Sequence, residues 1–280
     1  MTMHFSKDSF LSCVNSINAD NYNYGNEVLY RNCGLACLPA PGASQMDTKL
    51  SSAIWLIGKS YSADPTRSAP KGAFSNKGLG SSFESIANSV YQSAYYEGFY
   101  HALQQLSGKT YTYRYEDDQE ILLQTVTLVH TLNEMIKNAM EKDTADAKSD
   151  NVISFCSKLL HFMCPNLFFI IDSYSYNGAI ALFSGNTAKT LRAPASAAAK
   201  NVSIDKDARQ FFKQNYSLPH SCINDFSDSI KAYYNHCLRG YRLACFLNDC
   251  NVACFQQIES DPHSCYMPRL VDSVLMRIEK

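Results

Sequence analysis

Apolar residues recur at three- and four-residue spacing over much of this chain, and that spacing constrains the fold more than any other feature. Leu122, Val126, Val129, Leu132, Ile136 and Met140 trace one face of a long helix. Phe83, Ile86, Val90 and Ala94 predict a shorter one, and Ile230, Tyr233, Cys237, Tyr241 and Ala244 another. Pro268 suits a first helical turn, and Leu270, Val271, Val274, Leu275 and Ile278 form the apolar face that follows. Residues 151–163 read as a helix stopped before Pro165, and Leu50 to Gly58 as a short apolar helix or strand. The expected class is mostly α.

Between these stretches the chain reads as irregular. Residues 1–82 form a loop-rich N-terminal part, with turn chemistry at 18–25 and prolines at 39 and 41. Residues 68–82 read as an exposed loop, 141–150 as a charged connector and 184–207 as a loop with an Ala-rich tract. The whole of 1–280 is expected to act as one catalytic unit, its helical core running over 83–280 as two helical subdomains that flank a cleft.

The 280 residues suffice for a core without staples. Lys and Arg number 25 against 26 Asp and Glu, which excludes a polybasic nucleic-acid coat but leaves room for a local basic patch. No run reaches roughly 18 consecutive apolar residues, so no membrane partner is expected. Met1–Phe10 carries His4, Lys7 and Asp8 and lacks an apolar signal core, which reads as a cytoplasmic protein. No obligate protein partner is evident. There are 11 cysteines. Cys156, Cys164, Cys237 and Cys245 sit among apolar neighbours and read as small hydrophobes. The spacings Cys33–Cys37 and Cys237–Cys245–Cys250–Cys254 match no tight zinc knuckle, so neither a metal nor another cofactor is expected.

Two charges stand in apolar surroundings. Lys158 lies among Phe155, Leu159 and Phe162, and Asp172 ends the apolar run Leu167–Ile171. Buried charges are paired or functional. From Lys158 to Met163 a helix climbs about 8 Å. After the turn at Cys164–Asn166, the run returns about 15 Å in extended form. Asp172 is thereby able to end beside the turn that bears Lys158. By residue pattern alone a structural ion pair is the favoured explanation of the two residues, and Asp172 suits an N-cap.

A lysine on a helix, a chain reversal and an apolar run ending in Asp resemble the helix-hairpin-helix DNA glycosylases, above all bacterial proteins described as 8-oxoguanine-glycosylase-like. The likeness is carried by Ser157-Lys158, Leu160-His161-Phe162, Pro165 and Ile171-Asp172-Ser173. Trp55 to Tyr61 with Pro65 and Arg67, and Pro268 to Asp272, look like that group's flanking motifs. One departure is plain: residues 150–157 contain no glycine, whereas the family hairpin carries a Gly-rich turn that sets backbone N–H groups against a DNA phosphate.

The resemblance implies a glycosylase acting on a modified base in double-stranded DNA, with Lys158 and Asp172 catalytic and an associated strand-cleaving lyase step open. Trp55, Lys59, Tyr61, Arg67, His161, Ser173 and Arg269 become candidate substrate or DNA contacts. Plainer readings stand beside these. His161 reads as a satisfied, partly buried side chain, Trp55 as core, Lys59, Arg67, Lys71 and Lys77 as solvated surface, and Arg269 with Asp272 as a local surface pair. Arg239 and Arg242, on one helix with Tyr233, Tyr234 and Tyr241, read as a core edge, with DNA contact as the alternative. The Tyr/Asn mixture at 22–26 suits sugars or flipped bases, although ordinary loop chemistry is the favoured reading.

Overall fold

A computed structural model describes residues 2–20, 24–43, 48–61, 79–141, 152–195, 197–219, 226–252 and 266–279. In chain order the elements are β1 (Thr2–Met3), α1 (Lys7–Asp20), α2 (Tyr24–Asn32), α3 (Thr48–Ser60), α4 (Leu79–Tyr91), α5 (Tyr96–Ser107), α6 (Tyr115–Glu141), α7 (Ile153–Met163), α8 (Ser173–Phe183), β2 (Lys189–Leu191), β3 (Asn201–Ile204), α9 (Lys206–Asn215), α10 (Asp228–Asp249), α11 (Met267–Met276) and β4 (Ile278–Glu279). A 3-10 turn at Leu35–Cys37 follows α2. The protein is mostly helical, as the periodicity requires. Among the described residues no helix is long and apolar enough to cross a membrane.

The chain divides into two compact units, each built from separated segments. The first comprises Met1–Tyr24, Tyr111–Gln119 and Phe169–Lys280; the second comprises Gly25–Thr110 and Glu120–Phe168. Lys158 belongs to the second and Asp172 to the first.

In the second unit α3 packs on α4 and α7. Its core draws on Ile54 and Ile57 of α3, Phe83 and Ile86 of α4, Val126 and Val129 of α6, and Phe155 and Leu159 of α7. Val152, which precedes α7, supplies no side-chain cap. The buried Asn133 of α6 takes part of that role, its Oδ1 accepting from Val152 N at 3.1 Å. Ala94 lies beyond the end of α4, which stops at Tyr91.

The first unit joins α8 to α9, α10 and α11 and adds a four-stranded sheet in the order β1-β3-β2-β4. β1 runs parallel to β3; β2 is antiparallel to both β3 and β4, with Leu191 opposite Val202 and Ile278. Residues 184–207 are therefore not simply a loop. The two strands there are three and four residues long, too short for alternation to stand out, yet Leu191, Val202 and Ile204 all bury. Asp118 is the polar keystone of this unit. Its carboxylate accepts from Thr112 N at 2.9 Å, Tyr113 N at 2.7 Å and Tyr241 Oη at 2.6 Å, tying 112–118 to α10.

The loop-rich reading of the N-terminal part also fails for most of its described residues. Phe10, Cys13, Val14 and Ile17 are the buried face of α1, at helical spacing, which the intervening serines and asparagines disguise. Ser6 and Ser9 close the start of α1 reciprocally: Ser9 N donates to Ser6 Oγ and Ser6 N to Ser9 Oγ. Residues 21–23 and 62–78, which include Tyr22, Asn23, Arg67, Lys71 and Lys77, lie outside the described residues, and so does the connector at 141–150 apart from Glu141, which ends α6.

Candidate functional site

α7 is a buried helix, with Ser154 its one partly exposed position. Helical spacing puts Ser154 one turn before Lys158, so the lysine folds back along its own helix. Lys158 is 2% exposed; its Nζ donates to Ser154 Oγ at 2.8 Å and lies 5.8 Å from the centre of the Tyr61 ring. Tyr61 directly follows α3, which packs on α7, and its ring sits 5.6 Å from that of Phe162. Phe162 also meets Tyr30, at 4.7 Å. The amine is thus walled by hydroxyl and aromatic groups.

His161 is fully buried. Its Nδ1 lies 2.9 Å from the Phe168 carbonyl, which accepts only, so Nδ1 carries a hydrogen. Nε2 lies 2.8 Å from the Tyr30 hydroxyl. The ring fastens α7 to the start of the returning apolar run, the satisfied role expected of it. The structure brings Tyr61, Lys158 and His161 into one neighbourhood of the second unit, together with Tyr30 and Ser154. Ser154 was legible from its spacing to Lys158; Tyr30, far away in sequence, gave no signal.

Trp55 is not core. It is 44% exposed, because α3 buries its Leu50, Ala53, Ile54 and Ile57 face and Trp55 points away from it. Lys59, one turn on, is also exposed, with Nζ 5.8 Å from the Phe83 ring centre.

In the first unit the apolar run is pinned by α10. Tyr233 Oη donates to the Phe169 carbonyl at 3.0 Å, and His236 Nε2 donates to the Ile170 carbonyl at 2.7 Å. Gly240 leaves room for the run: a Cβ there would stand 3.0 Å from the Phe169 ring. The run ends at Asp172, the N-cap of α8, in extended conformation. Asp172 Oδ1 accepts from both Tyr174 N and Ser175 N at 2.9 Å, and Ser175 Oγ accepts from Asp172 N at 3.1 Å. This capping box leaves Oδ2 outside the cap and fixes the carboxylate plane. Ser173 is exposed at the first position of α8, and Tyr174 beside it is 68% exposed.

Arg269 pairs with Asp272 on α11, but not at the surface. The Asp272 side chain is 2% exposed and that of Arg269 17%. Arg269 is accordingly held inward by its acid partner. Among the described residues, seven cysteines, including Cys156, Cys164, Cys237 and Cys245, are buried and free, and Cys250 is half-buried. Burial pushes the Cys33, Cys164 and Cys237 thiols up to about 12. Among the same residues no group of three or more His, Cys, Asp or Glu is placed to hold a metal ion. Comparison with known protein families, with curated proteins and with solved structures yields no match.

Proposed function

We propose that this protein is a DNA glycosylase that flips a modified base out of the duplex and cleaves its bond to the sugar C1′, using Lys158 and Asp172. The observation that carries the reading is the setting of Lys158: a primary amine at 2% exposure, oriented by a hydroxyl and an aromatic ring. Lysine is among the side chains least often buried so completely. The capped Asp172 supports the same reading, because its plane is held by backbone N–H groups while Oδ2 lies outside the cap.

The chemistry follows from these groups. As the C1′–N bond breaks, the base departs with the electron pair and positive charge grows on the sugar. The Asp172 carboxylate, already oriented, stabilises that charge without reorganising. A neutral Lys158 amine attacks C1′, loses a proton and opens the way to a Schiff base. With water as nucleophile instead, the product is an abasic site on an intact strand. The substrate we favour is a bulky modified base of phage DNA, such as glucosylated hydroxymethylcytosine, which makes the enzyme one of antiviral defence. Oxidised guanine is the repair alternative. The preference rests on the glycine-free stretch before Lys158 and on the sparse charge.

The burial of Lys158 also favours a second reading, a noncatalytic reader of modified DNA. One experiment separates them. The protein is incubated with phage DNAs of differing base modification, abasic sites are counted, and borohydride trapping is run in parallel. Abasic sites on one modified DNA, lost in Lys158→Ala, support the glycosylase. Covalent trapping in the wild type assigns the attack to the lysine. Tight binding of modified DNA without any abasic product supports the reader.

A further inference from the structure

Residues 184–216 of the first unit carry six of the 25 basic residues but two of the 26 acidic ones. In a chain of near-zero net charge that is a local concentration of positive charge, and the fold gathers most of it at one place. Lys189 opens β2 and stands opposite Ile204, the last residue of β3. Lys206 begins α9 two residues later. Arg209, on the next turn of α9, donates from one guanidinium nitrogen to the Thr187 carbonyl at 3.1 Å and to the Ile204 carbonyl at 3.2 Å. That double contact ties the end of the β2–β3 pair to the start of α9, with three cations around the joint.

Lys213 lies one turn beyond Arg209. At about 100° per residue, Lys206, Gln210 and Lys213 share one stripe of α9, turned away from the buried Ala208 and Phe212, with Arg209 on one flank and Asp207 on the other. Lys206 and Lys213 are exposed and Lys189 is half-buried. None of these three lysines makes an ion pair among the described residues, and Arg209 meets neutral carbonyls. Asp205 is engaged as the cap of α9, accepting from Asp207 N and Ala208 N. The exposed groups between the cations are amides and hydroxyls, such as Gln210, Gln214, Asn186 and Thr187. A helix that enters a bilayer surface needs an apolar face free to insert. That face of α9 is engaged in the core: Phe212 is fully buried, its ring 5.6 Å from that of Phe10 and 5.2 Å from that of Phe246. A sugar-phosphate backbone, by contrast, takes lysines, arginines and side-chain amides as they stand here.

We propose that the joint of β2, β3 and α9 is a DNA-docking surface: Lys189, Lys206, Arg209 and Lys213 lie against the phosphate backbone of a duplex and hold it without reading its sequence. Lys206 and Lys213 stand about 10 Å apart along α9, far enough to meet separate phosphates. The choice of DNA as the polyanion rests on the glycosylase reading; the charge of the surface does not. The surface uses side-chain cations of the first unit, unlike the Gly-rich backbone turn that residues 150–157 lack.

The test is equilibrium binding of a short fluorescent duplex to the full chain, between about 50 and 200 mM salt. Each phosphate neutralised contributes about 0.9 to the slope of log affinity against log salt. The double variant Lys206→Gln, Lys213→Gln changes two exposed side chains and is expected to lower that slope by about two contacts. The wild type then loses about 12-fold more affinity than the variant across that salt range. The loss should be the same for unrelated sequences. Lys206→Arg with Lys213→Arg, which keeps both charges, should retain the wild-type slope. Lys109→Gln, an exposed lysine of the second unit, is the control for net charge and should leave the slope unchanged. Equal slopes in the wild type and the double Gln variant overturn the surface, and so does an equal fall in Lys109→Gln. Vesicles of phosphatidylserine in phosphatidylcholine that bind the wild type and not the double Gln variant, with equal duplex slopes, overturn DNA as the partner. Base release is scored separately. A slope that depends on Lys206 and Lys213 without base release keeps the surface and removes the glycosylase, and base release with equal slopes removes only the surface.

Discussion

Asp172 carries two duties in one side chain, and the two separate by substitution. The carboxylate caps α8 through Oδ1, and in the proposed reaction its charge stabilises the sugar cation. Asn is as good a cap as Asp, so Asp172→Asn should keep the helix and the fold. The rate of base release should nonetheless fall roughly 100- to 1,000-fold, the usual loss for a preorganised electrostatic stabiliser. Asp172→Ala removes the cap as well and should cost about 1 kcal/mol in urea unfolding. Near-normal base release by folded Asp172→Asn would refute the assigned role. At this scale the sequence was most informative where chemistry is local. Lys158 and Asp172 stood out because a charge in an apolar run is anomalous, and the cap followed from the residue type. The reading of Trp55 as core fails because burial of an aromatic residue depends on which way one helix turns its face.

At the scale of elements, α8 and α11 approach each other tightly at Gly178. A Cβ on Gly178 would fall 2.0 Å from the Leu275 carbonyl oxygen, backbone that cannot move aside without shifting a helix. Gly178→Ala should therefore destabilise by about 3 kcal/mol or more despite the better helix propensity of alanine. Gly98 of α5 is the control, because nothing stands within 4 Å of the corresponding position. Gly98→Ala should leave the unfolding midpoint unchanged or raise it by up to about 1 kcal/mol in stability. Midpoints in urea that move together for the two variants would contradict the packing of α8 on α11. Long helices such as α6 and α10 were legible because apolar spacing repeats over many turns. β2 and β3 were not, since strands of three and four residues are defined by their partners, and β1 and β4 pair with them from near opposite ends of the sequence.

For the whole molecule, the buried thiols set an alkaline limit. Cys33, Cys164 and Cys237 are raised by burial to about 12, against about 8.5 in an unfolded chain. The folded state then holds protons that the unfolded state has lost. Their stabilisation is complete below about pH 8.5 and is lost as pH rises through the folded values near 12. The urea midpoint should fall steadily across that window, and alkylation at pH 8 followed by peptide mass mapping should find these three cysteines unmodified until the protein unfolds. Modification of Cys237 in the native state would contradict its burial. The class was readable at this scale, whereas the division into two interleaved units was not, because it depends on contacts between segments far apart in the chain.

That interleaving has a consequence for biosynthesis. Everything the second unit needs, residues 25–110 and 120–168, has left the ribosome before most of the first unit exists. α1 is made before the other described helices, yet its partners β3 and α11 lie after residue 200. Phe10, Cys13, Val14 and Ile17 therefore wait for those partners while the intervening chain is made. At bacterial-like elongation of roughly 5–20 residues per second, the wait lasts on the order of tens of seconds. A nascent chain stalled after residue 168 should present α1 as a target for a chaperone that holds apolar segments, and release from the ribosome should end that association.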